Sequence, residues 1–324
     1  MRLLVTGAAG FVGGHLVAFL RAEHPDVEIH GVVLPQGGVS WRAPAGVRVL
    51  EADLGDPAAA AAVIEDVRPE RVVHLAGQAS VHQSWIDPAL TLRTNVLGIV
   101  HLLDAARRLA LRPAVLVVGS AEEYGPVGED EIPIREEAPL RPASPYAVSK
   151  VAQAALARLY GPAGGMRVVL TRTFHHTGPG RGEAFAESSF ARQIAEIEAG
   201  RRPAVIEVGN LEAVRDFSDV RDVVRAYWLL LEKGEGGEAY NVCSGRGRRI
   251  RDLLDTLLAA SPARVEVRLD AERLRPSDVP VQVGDPSRLR AATGWRPEIP
   301  LERTLADLLD DWRARTGSPV PTSP

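Results

Sequence analysis

Tyr146 and Lys150 stand four residues apart in Ser144-Pro145-Tyr146-Ala147-Val148-Ser149-Lys150, a segment built to start a helix. Ser144 suits the N-cap and Pro145 the first helical position. The two side chains then share one helical face, about 5–6 Å apart at Cβ. A phenol with an ordinary pKa near 10 needs help to exchange a proton at neutral pH. A cation at this spacing favours phenolate, and a shift of about three units would correspond to roughly 4 kcal/mol. A surface Tyr and Lys on an amphipathic helix give the same spacing by chance. The pair gains force from Ser120, which closes an apolar run beginning at Ala114. The carboxyl ends of parallel strands are where α/β sheets open their ligand crevices.

A second constellation lies near the N-terminus. Gly7-Ala8-Ala9-Gly10-Phe11-Val12-Gly13 follows the first apolar run directly and opens a helix. The chain must turn tightly there, and a pyrophosphate reaches backbone N–H groups at a helix N-terminus only where no Cβ intrudes. The flanks favour a dinucleotide over a plain strand-to-helix turn. The spacing is G-x-x-G-x-x-G rather than G-x-G-x-x-G. Asp53-Leu54, after the third strand, can reach an adenine edge or simply precede the next helix, for which Asp56 is the N-cap. Ala76-Gly77, after the fourth strand, are small residues where a dinucleotide would cross the sheet edge.

The elements that must position these groups follow from the pattern of the first half. Apolar runs at 2–6, 27–33, 47–50, 71–75, 114–118 and 167–171 alternate with helical patterns at 13–21, 57–66, 95–109 and 145–160. Strands alternating with helices imply βαβ units and a parallel sheet covered on both faces. The expectation is an α/β fold: a doubly wound, Rossmann-type parallel sheet with a smaller mixed α/β C-terminal lobe that binds substrate. After residue 173 the rhythm changes, with helices at 220–233, 250–259 and 301–314 and strands at 238–243 and 265–269. We expect residues 1–173 to form the dinucleotide domain, with 219–243 returning to it, and 174–218 and 244–324 to form the lobe. The Pro/Ser tail 317–324 is expected to fray.

Composition narrows the partners. A net charge of −4 over 324 residues gives no reason to expect nucleic acid or an anionic membrane, so an anionic substrate must be held by local Arg, Lys or backbone N–H groups. No run approaches the roughly 20 apolar residues of a membrane span, and the N-terminus carries no signal peptide. The expected location is cytoplasmic. The single cysteine, Cys243, excludes a disulfide framework; at a strand end it reads as a small buried residue rather than a reactive thiol. Nothing calls for a metal.

Ser120, Tyr146, Lys150 and the glycine loop together resemble the short-chain dehydrogenase/reductase superfamily over nearly the whole chain. The resemblance implies that Tyr146 is the general acid/base, that Lys150 tunes it and binds the nicotinamide ribose, and that Ser120 hydrogen-bonds the reacting oxygen. It implies NAD or NADP against Gly7, Gly10, Phe11, Val12, Gly13, Asp53, Leu54, Ala76, Gly77, Asn95, Tyr146, Lys150 and His176. Asn95, in Thr94-Asn95-Val96-Leu97-Gly98, looks like the Asn that supports the family's proton relay, and it equally reads as the N-cap of its helix. Relatives dimerise through the helices near Asn95 and Tyr146, so a homodimer is expected.

The second half resembles extended members acting on nucleoside-diphosphate sugars. Arg172-Thr173-Phe174-His175-His176-Thr177-Gly178-Pro179 looks like their R-x-x-N-x-x-G-P stretch, with His175 where the family has Asn. Val208-Gly209-Asn210 through Arg215-Asp216-Phe217, and Arg273-Leu274-Arg275-Pro276-Ser277-Asp278, resemble GDP-4-keto-6-deoxy-D-mannose reductases first and GDP-mannose 4,6-dehydratases next. That resemblance implies a GDP-sugar substrate, with Arg215 and Arg275 on its diphosphate, Asp278 on the guanosine ribose, and Asn210, His175 and Glu122 as further contacts. Glu122 matches the base that removes the C5 proton in the dehydratases, yet reductases carry Glu there too. Ser120 and Ala121 depart from the dehydratases' Thr and polar residue. The implied reaction is reduction of the C4 ketone to GDP-D-rhamnose, with dehydratase, epimerase and a catalytically silent NAD(P)-binding sensor as alternatives. Val33-Leu34-Pro35 carries neither an Arg for NADP nor an acid for NAD, so the choice stays open with a lean to NADPH.

Overall fold

The computed structural model describes residues 1–35, 41–273 and 279–317. Leu3, Leu4 and Val5 are all fully buried because β1 (Arg2–Thr6) lies in the interior of a parallel sheet with helices on both faces. The chain continues through α1 (Phe11–Glu23), β2 (Glu28–Val33), β3 (Val47–Glu51), α2 (Pro57–Val67) and β4 (Arg71–His74). Then come α3 (Val81–Ile86), α4 (Pro88–Leu92), a π-helical turn at Arg93–Leu97, and α5 (Gly98–Arg108). β5 (Ala114–Ser120), α6 (Pro145–Gly164) and β6 (Arg167–Thr173) complete the first half.

Beyond them lie β7 (His175–Thr177), α7 (Ala186–Glu198), β8 (Val205–Val208), β9 (Val214–Asp219), α8 (Val220–Lys233) and β10 (Ala239–Val242). The last elements are β11 (Gly247–Arg249), α9 (Ile250–Ala259), β12 (Glu266–Leu269), β13 (Val281–Gln282), α10 (Ser287–Thr293) and α11 (Leu301–Thr316). The main sheet has seven strands in the order β10-β6-β5-β4-β1-β2-β3. This is the doubly wound Rossmann arrangement. Strand order reverses between β1 and β4, which opens a crevice at their carboxyl ends.

Successive strand residues point to opposite faces, and both faces are filled. Leu3 and Val5 join Leu16 and Leu20 of α1 and Val223, Tyr227 and Trp228 of α8. Leu4 joins Ile64 of α2 with Ile99 and Leu102 of α5. A separate core binds α7, α9 and α11 through Phe190, Ile194, Leu254, Leu305 and Leu309. Small sheets serve this part of the chain: β11, β13 and β7 all pair with β9, and β12 pairs with β8. Cys243 is fully buried, and burial pushes its thiol up, away from the reactive thiolate.

The π turn corrects the reading of Asn95 as a helix N-cap. The helix begins earlier, where Asp87 accepts a hydrogen bond from the Leu90 N–H and Pro88 takes the first position. Asn95 therefore sits inside a continuous helical run and is fully buried. The tail beyond residue 317 lies outside the described residues.

Candidate active site

Gly7 ends β1 at φ +68, a left-handed conformation favouring glycine. A Cβ on it would lie 2.9 Å from the Ala76 nitrogen, so β1 and the chain after β4 can approach only without one. Gly10 is the N-cap of α1, with no side-chain cap and no acid in the first turn. The first N–H groups of α1 are thus offered outward, as an anion site requires. Gly13 completes the loop: a Cβ there would stand 2.2 Å from the Gly7 carbonyl oxygen. Thr6 Oγ1 accepts hydrogen bonds from the Leu75 and Ala76 N–H groups at 3.1 Å each and donates to His74 Nδ1 at 2.9 Å. Burial, aided by Lys150, holds that imidazole at about 3, neutral and able to accept. These constraints make a cradle at the crevice that fits a dinucleotide's pyrophosphate.

Phe11 and Val12 are half-buried in the first turn of α1. Phe11 stacks on His176 with ring centroids 6.1 Å apart and planes 5° apart. His176 Nδ1 donates to the Phe174 carbonyl at 3.0 Å, and burial lowers the ring to about 4, so it is neutral. Asp53 is exposed after β3, where its Oδ1 accepts the Gly55 N–H at 2.9 Å in a tight turn. Asp56 caps α2 through the Ala58 N–H at 2.9 Å. Leu54 is a core residue whose carbonyl is hydrogen-bonded by His101 Nδ1 at 2.9 Å.

Ser120, Tyr146 and Lys150 meet at the carboxyl end of β5, all three buried. Ser144 caps α6 through the Ala147 N–H at 3.1 Å. Pro145 follows in the first turn. Tyr146 and Lys150 thereby emerge one turn apart, with Nζ 6.0 Å from the phenol ring centroid. Nζ donates to the Val118 carbonyl at 2.9 Å and to Gln153 Oε1 at 3.0 Å. It also lies near Gly77, where a Cβ would be 3.8 Å from it.

The electrostatics differ from the phenolate expected for Tyr146. Burial pushes the phenol up to about 12; a hydrogen bond with Ser120 opposes this, while Glu122 and Glu123 add to it. Burial also lowers Lys150 to about 8, opposed by Glu123. Desolvation disfavours the charged form of both groups, and it is the largest influence on each. The site holds a protonated phenol beside an ammonium that discharges above about pH 8. That is an acid set to give a proton away.

Asn95 reaches this set from the π turn. Its Oδ1 accepts the Gln78 N–H at 2.8 Å, and its Nδ2 donates to the Gln78 carbonyl at 3.1 Å and to Ser149 Oγ at 2.9 Å. One amide thus ties the loop after β4 to α6, between Tyr146 and Lys150. π turns inside helices recur at functional sites because they re-aim one side chain.

Glu122 sits half-buried in the turn after Ser120, its N–H donating to Ser120 Oγ at 3.2 Å. Beneath it lies a pair not singled out from sequence. Glu123 accepts the Ser120 N–H at 2.9 Å and Arg172 Nε at 3.1 Å. Arg172 also donates to Tyr124 Oη at 3.1 Å and to the Glu136 carbonyl at 2.8 Å. The arginine of the R-x-x-N stretch therefore anchors the turn that presents Ser120 and Glu122.

Among the other substrate candidates, His175 lies in β7, its ring 5.4 Å from that of Phe217. Arg215 is buried in β9 and donates to the Val214 carbonyl at 2.9 Å. Asn210 is exposed ahead of β9, its Oδ1 accepting the Glu212 N–H at 2.9 Å. Neighbouring Asp216 is fully buried and accepts N–H bonds from Ser244, Gly245 and Gly284 at 2.8, 2.9 and 3.3 Å. It fixes the chain after β10. Arg275 and Asp278 lie outside the described residues.

Comparison with known proteins accords with this geometry. The family model described as GDP-mannose 4,6 dehydratase matches residues 4–308. The chain is 40% identical over 315 residues to the GDP-6-deoxy-D-mannose reductase of Pseudomonas aeruginosa, covering 97% of this chain and 98% of that one. The solved structure of RMD from Pseudomonas aeruginosa complexed with NADPH matches with a TM-score of 0.85 at 38% identity, covering 97% and 99% of the two chains. The UDP-glucose 4-epimerase of Thermus thermophilus, solved in complex with NAD, matches with a TM-score of 0.83 at 33% identity, covering 97% and 99%.

Proposed function

We propose, from the premise that this chain belongs to the GDP-mannose 4,6-dehydratase family, that it is an NAD(P)H-dependent reductase of GDP-4-keto-6-deoxy-D-mannose, forming GDP-D-rhamnose. The observation that carries the reading is the buried phenol of Tyr146, hydrogen-bonded with Ser120 and with Lys150 one turn away at the carboxyl end of β5. The glycine cradle fits a dinucleotide, which when bound supplies the hydride. Ser120 polarises the C4 carbonyl, and Tyr146 gives its proton to the oxygen. Lys150, charged below about pH 8, stabilises the phenolate left behind. NADPH is the preferred cofactor in this reading, supported by the NADPH complex of the Pseudomonas aeruginosa structure. Gly7, Gly10, Phe11, Val12, Gly13, Asp53, Leu54, Ala76, Gly77, Asn95 and His176 line the cofactor's path in this reading. Arg215 and the 208–216 segment hold the sugar nucleotide, and Arg275 and Asp278 remain assigned to it by resemblance alone.

Glu122 favours a second reading, dehydration, because a carboxylate beside Ser120 can take a C5 proton. Buried Ala121 supplies no hydroxyl, and the relative that is 40% identical is a reductase. Glu122→Gln separates the two. As a reductase the variant keeps activity within about tenfold, about 1.4 kcal/mol of barrier. A dehydratase would lose on the order of 10²–10⁴ in rate, the worth of a positioned base. In deuterated water, direct reduction of C4 labels no carbon, whereas dehydration of GDP-mannose labels C5, because the hydride taken from C4 returns to C6 and a solvent proton replaces the one lost from C5. A collapsed rate with C5 label overturns the reductase reading.

The working form in this proposal is a cytoplasmic homodimer. Trp85, Ile86, Leu97, Val148 and Leu159, on the helices from α3 to α6, expose apolar surface, and Val148 and Leu159 are eleven residues apart on one face of α6. An apolar face of this kind marks an interface. Leu159→Glu should convert a dimer to a monomer in light scattering after size-exclusion. Finding the unmodified protein monomeric would remove the proposal.

A further inference from the structure

Gln153 stands three residues beyond Lys150 on α6, on the same helical face. The helix packs against β5 and β6, and Gln153 is only 1% exposed. An apolar side chain would suit a helix face buried against a sheet. An amide is destabilising there, because its Nε2 is buried with no hydrogen-bond partner among the described residues. A buried donor left unmade is penalised, and an apolar residue of the same shape would escape that penalty. The other half of the amide is engaged: Oε1 accepts a hydrogen bond from Lys150 Nζ at 3.0 Å. Since Nζ can only donate, that contact fixes which way the amide faces.

An ammonium carries three donors and no acceptor. Lys150 Nζ gives one to the Val118 carbonyl at 2.9 Å and one to Gln153. The third is left for the crevice, where the chain after β4 passes close at Gly77; a Cβ on that glycine would stand 3.8 Å from Nζ. The charged and titratable groups facing Lys150 are Tyr146 on its own helix, Glu123 in the turn after β5, and His74 on β4, held neutral. Glu123 acts through its field alone, because its oxygens are taken by the Ser120 N–H and by Arg172 of β6. Placement of the ammonium therefore falls to two neutral carbonyls, one from the backbone and one from Gln153.

We propose that Gln153 is a positioning residue of the active site, whose amide carbonyl, with that of Val118, steers the Lys150 ammonium so that its third donor meets the cofactor and the phenolate left by Tyr146. The proposal rests on the reading above that Lys150 serves proton transfer. An acceptor beside Nζ also favours the ammonium over the amine, whose N–H groups are weaker donors. The side chain at 153 thus sets where Lys150 discharges: an apolar residue lowers that point, and a carboxylate raises it. Were Gln153 merely filling space, an unbranched apolar residue such as Met would replace it with no effect on Lys150.

The chain has two lysines, Lys150 and the exposed Lys233. Labelling lysine Cε for NMR therefore gives two side-chain signals, and Lys233→Arg identifies that of Lys150. The test follows this signal with pH in the full-length wild type, Gln153→Met and Gln153→Glu, with NADPH titrations and melting temperatures in parallel. The wild-type midpoint is expected near 8. Gln153→Met should lower it by about one unit and Gln153→Glu raise it by about one, as the acceptor is lost or becomes a full charge. The Kd for NADPH should rise about fivefold in Gln153→Met, the worth of a misplaced hydrogen bond, and less in Gln153→Glu. A folded Gln153→Met with the wild-type midpoint overturns the proposal. Should that variant not fold, Gln153→Glu decides, and a midpoint that is not raised overturns the proposal equally. Midpoints that move as expected while the alkaline limb of kcat stays fixed would uphold Gln153 and count against the proton-transfer reading instead.

Discussion

Tyr146→Phe is expected to lower kcat by about 10³ while NADPH affinity stays within about twofold. Only a hydroxyl is removed, and the ring remains packed at the start of α6. Burial holds the phenol at about 12, so in the wild type it is protonated across the neutral range and its proton is available to the C4 oxygen. A positioned acid is worth about 10²–10⁴, and nothing else in the set replaces it. Ser120 can polarise the carbonyl but has no means of ending as a stable anion at neutral pH. The pH profile supplies the second readout. Lys150 is depressed from its ordinary value to about 8, so the ammonium is present below that pH and lost as pH rises through it. Wild-type kcat should fall above about pH 8, and the residual rate of Tyr146→Phe should lose that limb, because no phenolate forms for the cation to stabilise. Near-normal turnover in the variant would remove Tyr146 as the acid.

Why some of this site was legible and some was not follows from the range of the forces involved. Apolar alternation and short-range caps are local, so the strands from β1 to β6 were marked by their own residues. So were the helices Val220–Lys233 and Ile250–Ala259, the former capped by Asp219 through the Arg221 N–H at 2.7 Å. Asn95 misled because Asn is a good N-cap residue, and the true start at Asp87-Pro88 precedes a π turn that local propensity does not signal. Its partners, Gln78 and Ser149, lie 17 and 54 residues away. The Glu123–Arg172 pair spans 49 residues, and no periodicity announces two charges buried together. α7 was hidden because its N-cap position is Phe185, with no side-chain hydrogen bond, after a glycine-rich strap that reads as loop. The charge state of Tyr146 is hidden from the sequence for the same reason: spacing places Lys150 beside it, but only the assembled fold shows how thoroughly both are desolvated.

The glycine loop offers a matched pair of substitutions with opposite expected outcomes. Gly13→Ala should raise the Kd for NADPH by about 100-fold or more and lower the melting temperature, whereas Gly14→Ala should do neither. The residues are adjacent in the first half of α1, so helix propensity treats them alike. In both, alanine replaces glycine in a helix, a change worth about 0.5–1 kcal/mol in favour of folding. Their surroundings differ. A Cβ on Gly13 would lie 2.2 Å from the Gly7 carbonyl oxygen and 2.8 Å from the Ala8 Cα, both backbone atoms. A Cβ on Gly14 meets nothing within 4 Å. Backbone cannot swing aside as a flexible side chain would, so Gly13→Ala must lift the 7–8 turn away from α1. That movement opens the cradle whose N–H groups are placed for a pyrophosphate, and it disturbs Gly7, whose own close approach to Ala76 leaves little room. Gly14→Ala keeps the cradle and should gain a few tenths to about 1 kcal/mol in stability. Should Gly13→Ala fail to fold, Gly10→Ala gives a milder version, because a Cβ there meets only the Gly7 oxygen at 3.2 Å. Its NADPH affinity should fall between those of Gly14→Ala and Gly13→Ala. Equal NADPH affinity in Gly10→Ala, Gly14→Ala and the wild type, with no loss in a folded Gly13→Ala, would place the pyrophosphate elsewhere.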